Sequence, residues 1–257
     1  MTRGVLLIAR NTLRGVFSRY ALYIWSAAVL LMLLRASSAI FMDGDDAMVA
    51  LYRTRAVTSA LDLWSTLCIA SAIFIGAATI ASEVASKTLI TVIARPIARW
   101  EVVIGRWLGV TAFALLSLAL GVVIALGIAA YGGIDLNRQV LGLSIAHTFA
   151  AIALYGACAV ALSSVGSAAL AAAFTVLLVF LPAIVSVLDE DPSATRRAIG
   201  RALDFATPDA FVGHYEALAR TSVDYEAERS RLLESAAHGA AYLALGCFFF
   251  GRRDVHL

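Results

Sequence analysis

Long apolar runs with few or no charged residues recur along this chain of 257 residues. A helix needs about 20 such residues to cross the hydrocarbon layer of a bilayer. In soluble domains about a quarter of all residues are charged, whereas here 15% are charged and 61% are hydrophobic. The sequence therefore predicts an all-α integral membrane protein with one membrane domain of six spans, at residues 21–41, 63–81, 107–131, 140–162, 165–188 and 235–250.

The N-terminal segment, residues 2–20, has the periodicity of an amphipathic helix. Arginines occupy one face and apolar residues the other; the two sets are Arg3, Arg10 and Arg14, and Leu6, Leu13, Phe17 and Tyr20. This pattern is typical of a helix that lies in the membrane interface. An ordinary basic flank of the first span explains the arginines but not the apolar stripe. For the first span, the alternative is a cleaved signal peptide, with these arginines in its basic n-region.

The connecting segments differ in their content of basic residues. With six spans, both termini lie on one side together with residues 82–106, and this side carries ten basic residues against three acidic ones. The positive-inside rule places it in the cytoplasm. Residues 189–234 then form an external loop, in which we expect two short helices. That loop has six arginines of its own, and both a solvated role and a gating role are open for it.

Groups that support chemistry inside a membrane are absent from the predicted spans. A rhomboid-like intramembrane protease is the enzymatic alternative, because His238 and three serines at 163, 164 and 167 lie in or beside spans. The Gly-x-Ser-Gly motif of such proteases is missing. The three cysteines, all in predicted spans, form no metal or disulfide pattern. Arg35 lies near the end of its span, where it either extends to the interface or contacts a substrate. We therefore expect no catalytic residue, cofactor or metal on this chain.

The chain also lacks an energy source of its own. A phosphate-binding loop needs Gly-x-x-x-x-Gly-Lys followed by Ser or Thr. The one lysine of the chain is Lys87, and the residue before it is Ser86 rather than a glycine. An ion-coupled carrier needs carboxylates within its spans, and Asp62 lies at a span boundary. If the protein transports anything, the energy has to come from another chain.

Residues 82–106 interrupt the apolar pattern with charges. Glu83 and Lys87 are four residues apart, in the order that favours a helical turn. Pro96 ends this predicted helix, because the residue before a proline avoids helical geometry. A second stripe then leads into the third span, formed by Trp100, Val103, Ile104 and Trp107. The first helix presents apolar side chains beside charged ones, at Leu89, Val92 and Ile93. A solvated loop does not need an apolar face, so the apolar face of this helix predicts a docking surface.

The text of this segment, "IASEVASKTLITVIARPIARWEVVIGRWLG", resembles the signature of type-two ABC export permeases. The matching positions are Glu83, Thr88, Leu89, Arg95, Pro96, Arg99, Glu101, Gly105 and Arg106. Arg106 stands where the family usually has lysine, and Ser82 stands where it usually has glycine. The resemblance extends to the basic N-terminus, to "TPDAF" before the last span and to the "RRD" tail, so it covers the whole chain.

This resemblance implies the permease subunit of an ATP-driven exporter in the bacterial cytoplasmic (inner) membrane, with both termini cytoplasmic. Two copies, or this chain and a related permease, would form a dimer above separate ATPase subunits that bind ATP and Mg. No nucleic acid partner is implied. The coupling segment that would contact the ATPase comprises Glu83, Lys87, Thr88, Leu89, Val92, Ile93, Arg95, Pro96, Arg99 and Glu101. A non-transporting membrane scaffold stays open as an alternative, and the sequence does not name a substrate.

Overall fold

The computed structural model describes residues 2–16, 19–41, 47–86, 98–189, 215 and 224–252. These residues form seven helices and no strand, which confirms the all-α prediction for this part of the chain. The helices are α1 (Thr2–Val16), α2 (Arg19–Phe41), α3 (Ala47–Ala85), α4 (Arg99–Tyr131), α5 (Arg138–Ser163), α6 (Ala168–Asp189) and α7 (Tyr225–Arg252).

Each predicted span lies within one of the helices α2 to α7, except that α6 begins slightly after residue 165. Four helices in the described part of the chain are long and apolar enough to cross a membrane: α3, α4, α5 and α7. Helices α2 and α6 contain shorter apolar segments, Trp25–Arg35 and Ala168–Pro182. The fold is that of a multi-pass membrane protein, and the number of six spans stays a prediction.

Two helices begin at least ten residues before their predicted spans. Helix α3 begins at Ala47 rather than near residue 63 and has 39 residues. The added stretch contains arginines and Asp62, which lower its hydropathy, but it has no Gly or Pro that would end a helix. Helix α7 begins at Tyr225, where the Asp224 carboxylate accepts a hydrogen bond from the Glu226 amide at 3.0 Å. The second predicted external helix is thus the beginning of α7.

Helix α5 lies at the centre of the bundle and packs against α3, α4, α6 and α7. Small residues make these contacts close. A Cβ atom built on Gly76 would lie 3.1 Å from the Ala159 Cβ, and one on Gly246 would lie 2.9 Å from the Ala161 Cα. The small residues of the predicted spans therefore allow close helix approach, as expected for helices that associate in lipid.

Candidate functional site

Helix α1 packs on the first turns of α4 through a glycine surface. A Cβ atom on Gly105 would lie 2.8 Å from the Ile8 Cβ, and one on Gly109 would lie 2.6 Å from the Thr12 Cβ. Ile8 and Thr12 are buried in this contact. The predicted apolar stripe is not the face that packs on α4, since Leu6 is 64% exposed, and this agrees with a stripe that faces the membrane interface. The groove above the two glycines accepts the face of α1 that carries Ile8 and Thr12 instead.

The rest of the predicted amphipathic helix agrees in part with the structure. Arg10 and Arg14 are exposed, as the prediction of a basic outer face requires. The side chains of Arg3, Phe17 and Tyr20 lie outside the described part of the chain. Leu6 and Leu7 are exposed apolar residues on the described helix, so α1 presents both apolar and basic groups to its surroundings.

An ion pair between Glu83 and Arg106 joins the end of α3 to the start of α4. Arg106 Nη1 also donates a hydrogen bond of 3.0 Å to Thr12 Oγ1 on α1. The Thr12 hydroxyl in turn donates to the Ile8 carbonyl at 2.9 Å. The side chains of Arg106 and Glu83 are 13% and 22% exposed, so solvent screens their attraction only in part. We call Thr12, Glu83 and Arg106 the joint.

The joint holds together the two ends of the predicted coupling segment. Glu83 precedes residues 87–97 and Arg106 follows them. The predicted partner of Glu83, Lys87, lies outside the described residues, and so do Thr88, Leu89, Val92, Ile93, Arg95 and Pro96. The signature indicated that Arg106 matters for its charge. Its pairing with Glu83 could not be predicted from spacing, because it depends on how α3 and α4 meet.

Two further predicted site residues lie at the start of α4, which begins after Pro96 as expected. The Glu101 carboxylate is buried and accepts a hydrogen bond from the Ala98 amide at 3.1 Å, which is the glutamate half of a capping box. Arg99 Nη1 donates to the Gly251 carbonyl at 3.1 Å and so ties α4 to the end of α7. Along the predicted stripe of α4, Val103 is buried, and Trp100, Ile104 and Trp107 are half-buried.

The remaining predicted residue, Arg35, is exposed on α2 and takes no part in the joint. It lies six residues before the end of that helix, Phe41. This position agrees with a side chain that extends towards the interface, and a substrate contact of Arg35 stays a prediction.

A second group of charged side chains, which sequence reasoning missed, lies at the opposite end of the bundle. His147 Nε2 on α5 is 2.7 Å from Glu228 Oε2 on α7, and Arg231 Nη1 is 2.9 Å from Glu228 Oε1. The His147 and Glu228 side chains are 2% and 11% exposed. At 2.7 Å the two atoms are within ion-pair distance. A histidine alone in an apolar run was the available signal, because a buried ring nitrogen needs a partner.

Tyr215 makes a nearby connection at that end. Its amide donates to Asp62 Oδ1 at 2.9 Å, and its hydroxyl accepts a hydrogen bond of 2.8 Å from the Asn137 amide. Burial raises the pKa of the Tyr215 phenol; the Asn137 contact opposes this rise and the Asp135 charge adds to it. Asp62, at a predicted span boundary, therefore binds a residue of the long segment between α6 and α7.

The family model described as ABC-2 family transporter protein matches residues 26–255. The chain belongs to the ABC-2 transporter family. This ABC-2 protein is therefore a membrane permease subunit of an ABC transporter, and membership of the family implies an ABC ATPase as its partner. No curated protein matches the sequence significantly.

The match confirms the family that the signature indicated. It includes Glu83 and Arg106 of the ABC-2 permease, while Thr12 lies before the matched range. Helix α1 precedes the matched range and is held to it by the glycine surface and by the joint.

Proposed function

We propose that this ABC-2 permease is the membrane subunit of an ATP-driven exporter in a bacterial inner membrane. In this proposal α2 to α7 each cross the bilayer and both termini are cytoplasmic. The working unit is a dimer, with a second copy or a related permease, on separate ATPase chains that bind ATP and Mg. Residues 82–106 contain the coupling helix that binds to the ATPase.

The observation that carries the proposal is the joint. The ion pair of Glu83 and Arg106 connects the two helices that flank the coupling segment, and the Thr12 contact adds α1. A force applied between residues 87 and 97 therefore acts on α1, α3 and α4 as one unit. Arg99 extends this connection to α7 through the Gly251 carbonyl. Such a connection suits a permease that receives its energy from another protein.

Exposed apolar side chains support the membrane setting and the dimer. Helix α2 exposes Leu30, Leu31 and Leu34, and α6 exposes Phe174 and Phe180. Exposing such apolar faces to water is unfavourable, whereas contact with lipid or with a second permease is not. Because the chain lacks a phosphate-binding loop, we expect the purified subunit alone neither to bind nor to hydrolyse ATP.

The decisive experiment removes the predicted apolar face of the coupling helix. Leu89→Ala combined with Ile93→Ala should reduce the amount of ATPase that co-purifies with the permease and stop transport. Truncating one buried interface side chain typically costs about 1–3 kcal/mol of binding free energy. The measurement is ATPase retained per permease after detergent washing, in cells that express both subunits.

Lys87→Ala is the matched control, because a charge at the rim of an interface contributes less and mainly changes salt sensitivity. Folding and membrane insertion should be unchanged in all variants. Size-exclusion chromatography of each purified variant is the check. A double variant that retains its ATPase and transports normally would show that residues 87–97 are only a solvated loop.

The proposed topology has its own test. Single cysteines at Ser86 and Arg253 should react with a membrane-impermeant reagent only after the cytoplasmic face has been opened. A cysteine at Asp191 should react in intact cells. The reverse pattern would contradict both the orientation and the docking site.

A further inference from the structure

A cavity of about 770 Å³ lies between α1, α2 and α3, beside the joint. Small-molecule sites in proteins have volumes of about 300–1,000 Å³. The α3 wall of the cavity extends from Leu67 to Glu83, which is about 24 Å of helix at 1.5 Å per residue. One leaflet of hydrocarbon is about 15 Å thick, half of the bilayer core. The cavity is therefore long enough for one hydrocarbon chain and its headgroup.

The two ends of this cavity differ in polarity. The end beside the joint is lined by Asn11, Thr12, Ser82, Glu83 and Arg106. The rest of the wall is mainly apolar and includes Trp25, Leu67, Phe74 and Ile75. An amphiphile has the same division, a polar headgroup on an apolar chain. The length and the polarity of the cavity therefore both fit an amphiphile.

The charges around the polar end favour an anionic headgroup. Among the residues that the structure describes, Glu83 is the one acidic residue that lines the cavity, and Arg106 pairs with it. The Nε atom of Arg106 is buried and donates to no acceptor in the described part of the chain. On the adjacent face of α1, Arg10 and Arg14 are exposed, and α1 has no acidic residue. The potential at this end is therefore positive, which attracts anions.

We propose that this cavity binds an amphiphile with an anionic headgroup. The headgroup oxygens lie at the joint and the hydrocarbon chain lies along Trp25 and Phe74. A lipid of the surrounding bilayer and a cargo molecule can both supply this chemistry. The site belongs to the single subunit and does not require the ATPase, so its test is independent of the proposed export function.

The test uses the full chain in phosphatidylcholine nanodiscs and the fluorescence of Trp25. Bromine quenches tryptophan on contact, and the signal of Trp25 is the difference between the chain and its Trp25→Phe variant. Increasing fractions of dibrominated phosphatidylglycerol should quench Trp25 with saturation. Dibrominated phosphatidylcholine, which has the same chains and no net charge, should need about tenfold higher fractions.

Two glycine variants locate the site. A Cβ atom on Gly15, which lines the cavity, or on Gly127, which does not, meets no atom within 4 Å. Gly15→Phe places a ring in the cavity and should abolish the saturable quenching, while Gly127→Phe should leave it unchanged. Ala78→Leu, on the α3 wall, should weaken the quenching in the same way. Arg106→Gln should remove the preference for phosphatidylglycerol.

Quenching that rises linearly with both lipids, or that survives both Gly15→Phe and Ala78→Leu, would overturn the site. Saturable quenching without a preference between the two lipids would overturn the anionic headgroup. Adding the partner ATPase and ATP separates the two sources. A cargo leaves Trp25 during turnover and the fluorescence recovers, whereas a resident lipid stays; either result supports the binding site.

Discussion

The two ends of the helix bundle are both tied by charged side chains, but in different surroundings. At the α1 end, the Glu83 and Arg106 side chains are 22% and 13% exposed and flank a short segment. At the opposite end, the His147 and Glu228 side chains are 2% and 11% exposed and join two helices that are distant in sequence. Partly solvated pairs are weaker, whereas removing one partner of a buried pair leaves an uncompensated charge. The pair at the α1 end therefore costs less free energy to break than the pair at the opposite end.

The largest effect is expected at the opposite end. His147→Leu removes the contact that Glu228 makes with α5, and a buried polar group that loses a partner typically costs about 1–3 kcal/mol, with more expected when the group is charged. Because Arg231 still contacts Glu228, we expect about 3 kcal/mol, which lowers the midpoint of thermal unfolding in detergent by about 10 °C. The matched control is His147→Leu with Glu228→Leu, which should recover most of the loss. Equal midpoints for both variants would contradict the assigned role of the pair.

The second effect tests the contact of α1 with α4. A Cβ atom on Gly109 would lie 2.7 Å from the Ala9 carbonyl oxygen, which cannot move away without shifting the helix. Gly109→Ala should therefore cost about 1–3 kcal/mol and increase proteolysis within α1. Gly127→Ala on the same helix is the control, with open space around its Cβ, and should be neutral or up to about 1 kcal/mol stabilising. Equal proteolysis of the two variants would argue against close packing of α1.

A smaller effect is expected from Arg106→Lys. Lysine keeps the charge but cannot reach both Thr12 and Glu83 as the guanidinium does, so we expect a loss of about 1 kcal/mol. Combining it with Glu83→Gln in a double-mutant cycle, measured by unfolding midpoints, isolates the coupling between the two side chains. Strictly additive effects would mean that the ion pair does not contribute to stability.

The smallest effect is expected for Tyr215→Phe. It removes the hydroxyl that accepts the Asn137 amide proton, and water can replace that acceptor in part, so the expected loss is about 0.5–1 kcal/mol. The pKa of Tyr215 is raised, so its contribution is complete below about pH 10 and is lost as the pH rises through the folded-state pKa. The difference in midpoint between the chain and the variant should therefore shrink in strong alkali. A difference that grows with pH would contradict this assignment.

Local patterns predicted the helices well because helix formation in lipid depends on apolar length and on the absence of breakers. They failed at the start of α3, where charged residues ended the predicted span but did not end the helix. The family followed from the ordered motifs around residues 82–106 rather than from any single residue. These motifs identified Glu83 and Arg106 separately.

Partners across the bundle could not be predicted from the sequence. The pairing of Glu83 with Arg106, and of His147 with Glu228, depends on which helices are neighbours and how they are rotated. The same holds for α1, whose periodicity predicted an amphipathic helix but not the face that meets Gly105 and Gly109. In that contact Ile8 and Thr12 of α1 pack on the two glycines, so the face depends on the fit between the two helices.

The unbroken length of α3 has a mechanical consequence. Its 39 residues form about 58 Å of continuous helix, nearly twice the hydrocarbon thickness of about 30 Å. A stiff rod of that length amplifies rotation: a tilt of about 10° around its middle carries each end through about 5 Å. Glu83 lies near one end of this rod, and Asp62, whose carboxylate accepts a hydrogen bond from the Tyr215 amide, lies 21 residues before it, near the middle. A tilt of about 10° around the joint therefore moves Asp62, and its contact with Tyr215, by about 5 Å.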